Sequence, residues 1–133
     1  MTEAHQNGPG GALRKLLIVD DEEKICRLLG EYFSLRGYDV RAVGRGDEAV
    51  ALAAVFRPNV VLLDLLIPGM SALDTLKRLK QLTPAPKVLM LSGADHEEVA
   101  RGALELGADF YVCKPPDLSQ LEHLVNGVYP STK

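Results

Sequence analysis

Much of what would mark a dedicated chemistry is missing from this 133-residue chain. It has two cysteines, Cys26 and Cys113, far apart and without His or Cys neighbours at ligand spacing, which argues against a zinc site and a disulfide scaffold. Both read as small buried hydrophobes in a reducing compartment. The three histidines do not compose a catalytic set: His5 lies in the N-terminal leader, His96 at a helix start and His123 among polar helix residues, and each reads as a surface histidine. There is no glycine-rich phosphate loop and no Ser-His-Asp arrangement. The net charge of -3 comes with no basic run, so the chain carries no electrostatic footprint for direct nucleic-acid or anionic-membrane binding. Apolar runs are strand-sized and broken by Asp, Pro or Lys, short of the ~18 to 20 residues of a membrane span. Residues 1–12 lack a basic start and an apolar stretch, so no secretory signal is read and a cytoplasmic location is expected.

What remains is enough for one domain with a true core, since 47% of the residues are apolar. Residues 16–19, 60–63, 88–91 and 110–113 are short, nearly continuous apolar runs, as strands buried on both faces of a parallel sheet require. Residues 38–43 include Arg41 and alternate partly, as an edge strand would. Between these runs the period becomes helical. Ile25, Leu28, Leu29 and Tyr32 make one stripe, and Leu118, Leu121, Leu124, Val125 and Val128 make another. Ala49, Leu52, Ala53 and Phe56 suggest a helix, as do Leu73, Leu76 and Leu79, and Val99, Ala103, Leu104 and Leu106. Ser71 to Asp74 and Asp95 to Glu98 read as capping boxes, Asp117 as a further cap, and Gly37 and Gly107 as left-handed helix ends. The expected fold is α/β: five β-α units, a parallel sheet and helices on both faces. The domain is placed at residues 14–129, between a flexible leader (1–13) and a short tail (130–133).

In an open sheet of this kind ligands bind beyond the carboxyl ends of the strands. Those ends carry Asp20 and Asp21, Asp64, Ser92 and Lys114. Singly, each has a bland explanation: a helix cap, a turn residue, a solvated charge before Pro115 and Pro116. Together they crowd carboxylates onto one edge, where they would repel one another unless a cation sits among them. An all-oxygen donor set suits Mg²⁺. A metal, a lysine and a hydroxyl around one further carboxylate suit phosphoryl binding, with Asp64 as the candidate nucleophile.

The stretches LLIVDDE, VVLLDLLIPGM, VLMLSGAD and GADFYVCKP occur in that order, and over about residues 14–129 the chain resembles the receiver domain of two-component response regulators. The resemblance implies a flavodoxin-like five-stranded sheet in the order 2-1-3-4-5. It also implies Mg²⁺ held by Asp20, Asp21, Asp64 and the Leu66 backbone carbonyl, and a phosphoryl group taken by Asp64 from a sensor histidine kinase or phosphotransfer protein. Ser92 would hydrogen-bond that group, Lys114 would pair with it, Lys114-Pro115 would be a cis peptide and Tyr111 would be the aromatic switch. The fourth helix, fifth strand and fifth helix, roughly residues 95–128, would form the readout face for a downstream partner.

The family often has Asp-Gly where this chain has Ser71-Ala72, which leaves a usable helix cap. Two positions that tune dephosphorylation in the family, two residues after Asp64 and two after Ser92, are Leu66 and Ala94. Neither side chain can hydrogen-bond an attacking water, so a persistent phosphorylated state is expected. The alternatives are a pseudo-receiver acting as a phosphorylation-independent interaction module, which the complete set of five residues opposes, and a flavin mononucleotide protein. The acidic DDEEK after the first strand would repel the phosphate of that cofactor. No output domain is expected within the chain, which reads either as a stand-alone regulator acting by protein-protein contact or as the receiver portion of a longer regulator or hybrid kinase; the expected state is a monomer, with pairing through the readout face linked to phosphorylation.

Overall fold

The computed structural model describes residues 14–127; the leader, the tail and Val128 of the last helical stripe lie outside them. Five strands, β1 (Arg14–Val19), β2 (Tyr38–Val43), β3 (Val60–Asp64), β4 (Lys87–Ser92) and β5 (Phe110–Cys113), form one sheet in the order β2-β1-β3-β4-β5. Every neighbouring pair is parallel. The helices are α1 (Glu23–Ser34), α2 (Gly46–Phe56), α3 (Ala72–Lys80), α4 (Glu97–Glu105) and α5 (Leu118–Gly127), with a 3₁₀ turn at Ala94–His96 before α4. Among the described residues no helix is long and apolar enough to cross a membrane.

The period of two along the strands sorts the helices into layers. Leu17 and Val19, Val61 and Leu63, and Val88 and Met90 face Ala49 and Ala53 of α2, Leu76 and Leu79 of α3, and Ala100 and Ala103 of α4. The alternate residues, Leu16 and Ile18, Val60 and Leu62, and Leu89 and Leu91, face Leu29 and Phe33 of α1 and Leu121 and Val125 of α5. The middle of each central strand is therefore apolar on both sides, because both faces of the sheet are covered, and the charged or polar residues fall at the strand ends. All strands point the same way, so their C-terminal ends form one edge.

Several local expectations hold. Ser71 Oγ accepts the Asp74 N–H at 3.1 Å, Asp117 Oδ1 accepts the Gln120 N–H at 3.0 Å, and Gly37 and Gly107 have φ of +91° and +113°. The Lys114-Pro115 peptide is cis, as is Thr83-Pro84.

Others are corrected. Asp95 does not open a capping box: the Gly93 carbonyl takes the His96 N–H at 3.1 Å in the 3₁₀ turn, and α4 starts at Glu97 with no side-chain cap. The buried face of α4 is Ala100 and Ala103, while Val99 and Leu106 are exposed. On α1, Leu28 is also exposed and Leu29 and Phe33 carry the packing. β5 is an edge strand, and it leaves Phe110 and Cys113 in solvent rather than buried; Cys26 is half-buried. Arg57 ends α2 in the left-handed region, φ +56°, a position where glycine would be the cheaper residue.

One contact binds the two loops on the α2 side of the edge. The Gly46 N–H donates to the Pro68 carbonyl at 3.2 Å, and a Cβ on Gly46 would lie 2.2 Å from Thr75 Oγ1 and 2.5 Å from the Met70 carbonyl. Only glycine lets the start of α2 sit this close to the loop that follows Asp64.

Candidate functional site

The strand ends place the polar residues within reach of one another. Asp20 follows β1, and its backbone N–H donates to the Val43 carbonyl at 3.0 Å, which ties it to the end of β2. Its carbonyl accepts the Cys26 thiol at 3.1 Å, and its Oδ1 accepts the Glu22 N–H at 2.9 Å. The Asp20 side chain is thereby fixed across the first turn of chain after the strand. Asp64 ends β3; its Oδ1 faces the Leu66 N–H at a long 3.4 Å, and the Leu65 N–H extends the ladder to the Leu91 carbonyl at 3.0 Å. Asp20 and Asp64 are 2% and 5% exposed, whereas Asp21 is open to solvent.

Each of these three carboxylates offers an oxygen within 4.8 Å of the others. Such crowding is unfavourable without a cation, and Lys114 supplies one. Its Nζ lies 2.9 Å from Asp20 Oδ2, 2.9 Å from Glu22 Oε1 and 3.4 Å from Asp64 Oδ2. Burial opposes the ammonium charge, but the Asp20 and Glu22 carboxylates it contacts and the nearby Asp64 outweigh that and hold its pKa above the ordinary lysine value. The Asp64 carboxyl moves the other way from a stabilised anion. Burial and the Asp20 charge push it up to about 6, with Lys114 and the Leu66 N–H pulling against them. Burial, and next the Asp20 charge, also push the Cys26 thiol up to about 11, which leaves it a protonated donor.

Ser92 is fully buried at the end of β4 and its Oγ has no hydrogen-bond partner. The Lys114 N–H donates to the Ser92 carbonyl at 2.8 Å, so the hydroxyl and the lysine are held on adjacent strand ends. An open cleft of about 350 Å³ lies beside them, with Asp64, Leu66, Gly93, His96 and Lys114 in its wall. The Leu66 side chain is 59% exposed at its rim. Tyr111 is half-buried and packs on the α2, α3 and α4 side of the sheet, directly opposite Met90 in the β4–β5 register.

Asp20, Asp21, Asp64 and Lys114 thus form one cluster, with Ser92 and Leu66 beside it. Two further participants escape sequence reasoning. Glu22 shares Lys114, and its only signal is its place in an acidic run. His96, expected on the surface, lines the cleft; its spacing of four from Ser92 becomes informative only once the 3₁₀ turn is known. The oxygen-only donor set, with two buried carboxylates and one open to water, fits a hard divalent cation that keeps part of its water shell.

The family model described as the response regulator receiver domain matches residues 16–126. The chain is 34% identical over 116 residues to sporulation initiation phosphotransferase F of Bacillus subtilis, covering 87% of this chain and 94% of that protein. It is 35% identical over 114 residues to the regulatory protein AtoC of Escherichia coli, covering 86% of this chain and 25% of the relative. With the alkaline phosphatase synthesis transcriptional regulatory protein PhoP of Bacillus subtilis the identity is 38% over 102 residues, covering 77% and 42%. The chain therefore spans a quarter to under half of the length of these last two. Among solved structures, a CheY-like response regulator receiver domain protein from Methanospirillum hungatei superposes with a TM-score of 0.81 at 28% identity, covering 87% of this chain and 93% of that one. The receiver domain of AraT from Geobacillus stearothermophilus gives 0.79 at 31%, covering 88% and 93%. A matching family model across nearly all the described residues, on a parallel sheet whose carboxyl edge gathers three aspartates and a lysine, means that the chain belongs to the response regulator receiver domain family.

Proposed function

We propose that Asp64 is the phosphoacceptor of a two-component signalling switch and takes its phosphoryl group from a sensor histidine kinase or phosphotransfer protein. The family is one of phosphoacceptor switches rather than enzymes in the usual sense. The observation that carries the proposal is the Asp64 carboxylate, buried beside Asp20 and Lys114 and open on one side to a cleft. In the transfer, an Asp64 oxygen attacks phosphorus, the P–N bond to the donor imidazole breaks, and an acyl phosphate forms. Lys114 and the Ser92 hydroxyl then hold phosphoryl oxygens, which gives Ser92 Oγ the partner it lacks. Asp20, Asp21, Asp64 and the Leu66 carbonyl would hold Mg²⁺, which when bound would supply positive charge against that of the carboxylates and the incoming phosphoryl group.

Phosphorylation would bias a pre-existing equilibrium. Movement of Ser92 toward the phosphate would let Tyr111 turn inward and change the α4, β5 and α5 surface, where exposed Val99, Leu106 and Phe110 offer apolar contact to a downstream partner. In this reading the protein works in the cytoplasm, without touching nucleic acid itself. The decisive experiment is intact mass after incubation with acetyl phosphate and Mg²⁺. One added phosphoryl group on the wild type, absent from Asp64→Ala and from a chelated sample, is the expected result. A folded wild type that takes no phosphoryl group from acetyl phosphate or from a phosphohistidine donor would favour a pseudo-receiver.

A further inference from the structure

One side chain in the cleft has no part in the chemistry just described. His96 closes the 3₁₀ turn after Ser92 and immediately precedes α4. Its backbone N–H is used by the Gly93 carbonyl, and its side chain caps nothing. The residue instead lines the cleft with Asp64 and Lys114. Its Nδ1 is buried and has no hydrogen-bond partner. A Cβ on Gly93 would lie 3.8 Å from Nδ1, so this nitrogen sits over the residue that follows Ser92, whose own hydroxyl is also buried and unpartnered. Two buried polar atoms left open this near each other in the chain are costly unless an incoming group satisfies them.

The charges around the cleft indicate what that group is. Asp21, Glu22, Asp64 and Asp95 supply only acceptors, and Lys114 is shared among Asp20, Glu22 and Asp64. A phosphoryl group on Asp64 would bring several oxygens to a place with few free donors. Nδ1 carries a proton in the imidazolium and in one of the two neutral tautomers, and a hydrogen bond to an anionic oxygen is among the stronger ones available to it.

We infer that His96 is a phosphoryl-holding residue: its Nδ1–H donates to an oxygen of the phosphoryl group on Asp64 and so ties the start of α4 to the modified site. The inference rests on the phosphoacceptor reading of Asp64 and adds a second connection, besides Ser92, between the phosphate and the readout side of the fold. It also assigns the donor to Nδ1 rather than Nε2, which side-chain replacement can separate. The amide nitrogen of asparagine falls near the Nδ1 position, and that of glutamine falls near Nε2.

The test uses the full chain with Mg²⁺ and beryllium fluoride as the phosphoryl mimic, reading mimic affinity, Mg²⁺ affinity and the ¹⁵N signals of the imidazoles. His96→Leu and His96→Gln should weaken mimic binding by about tenfold, the scale of one hydrogen bond to a charged group, while His96→Asn keeps most of it. Mg²⁺ affinity should be unchanged in all three, and the His96 Nδ1 signal of the wild type should move on adding the mimic while that of His123 stays. Equal mimic affinity in wild type and His96→Leu, with an unmoved Nδ1 signal, overturns the inference and leaves the phosphoacceptor role standing. A parallel loss of Mg²⁺ affinity also overturns it, since His96 would then support the acidic pocket. A wild type that accepts neither the mimic nor a phosphoryl group from acetyl phosphate overturns both readings.

Discussion

Replacing Asp64 with asparagine should make the metal-free protein more stable. The Asp64 carboxyl is pushed from 3.8 up to about 6, first by burial and then by the Asp20 charge. The folded protein thus binds this proton more tightly than the unfolded chain does. Ionisation therefore counts against folding: the cost is full above about pH 6 and fades as the pH falls toward 4. The distance between the two values corresponds to about 3 kcal/mol. Asparagine has nearly the same shape and still faces the Leu66 N–H, but it gives up the 3.4 Å ion pair with Lys114. Lys114 keeps its closer contacts to Asp20 and Glu22, so part of the gain survives, and about 1 to 2 kcal/mol is expected. Urea unfolding at pH 7.5 in chelator should show Asp64→Asn above the wild type by that amount, and the advantage should shrink at pH 4.5. Saturating Mg²⁺ should reverse the order, since a ligand at a hundred times its Kd stabilises the wild type by about 2.7 kcal/mol. An asparagine variant that is less stable in chelator at pH 7.5, or an advantage that ignores pH, would refute the assignment of Asp64 as a buried carboxylate held at a loss.

Gly46→Ala should cost about 2 to 4 kcal/mol in the same unfolding assay, because its Cβ would collide with Thr75 Oγ1 and the Met70 carbonyl, the latter being backbone; a neutral result would mean that the loops on either side are free to separate. Iodoacetamide at pH 8 should label Cys113, which is exposed, well before Cys26, whose thiol is pushed up to about 11, with peptide mass spectrometry reading the order of labelling. The phosphorylated protein, purified and kept with Mg²⁺, should hold its phosphoryl group for many minutes because Leu66 and Ala94 cannot orient a water, and Leu66→Asn should shorten that lifetime. A wild-type lifetime of seconds would show that another group positions the water.

The architecture was legible where burial on two faces forces a simple pattern. Leu16 to Val19 and Val60 to Leu63 are apolar throughout because the register sets each between two other strands and two helical layers. The placement of Asp20, Asp21 and Asp64 at one edge follows directly from parallel strands, so their convergence was legible without coordinates. What escaped depends on packing. Which side of α4 faces the sheet could not be read from hydrophobicity, because Ala100 and Ala103 win over Val99 and Leu106 by being small enough for close approach. Cys113 is exposed where its apolar run suggests burial, because β5 is an edge strand with one strand neighbour. The Asp95 to Glu98 spacing fits a capping box, yet the 3₁₀ turn satisfies the His96 N–H with the Gly93 carbonyl instead and swings His96 into the cleft wall. Arg57 takes a left-handed conformation with no glycine or asparagine to announce it.

Lys114 connects the metal-free and metal-loaded forms, and its replacement gives two measurements that must agree. In the metal-free protein its ammonium is the cation shared by Asp20, Glu22 and Asp64. Lys114→Met keeps the alkyl stem and removes that charge, leaving Asp20 and Asp64 buried beside each other. Breaking a buried ion pair from one side costs about 3 to 5 kcal/mol. Because Glu22 lies largely in water, the expected loss in chelator is nearer about 2 to 3 kcal/mol. Mg²⁺ would neutralise the same two carboxylates, so saturating metal should narrow the gap between variant and wild type. By linkage, the narrowing must equal the difference in Mg²⁺ binding free energy between the two proteins. A gap that closes by about 1.4 kcal/mol therefore requires Mg²⁺ to bind the variant about tenfold more tightly. Calorimetric titration at pH 8, well above the Asp64 pKa of about 6, supplies the second measurement independently of unfolding. Weaker Mg²⁺ binding to Lys114→Met, or a stability gap that metal leaves unchanged, would mean that lysine and metal do not compete for Asp20 and Asp64, and the site would have to be drawn differently.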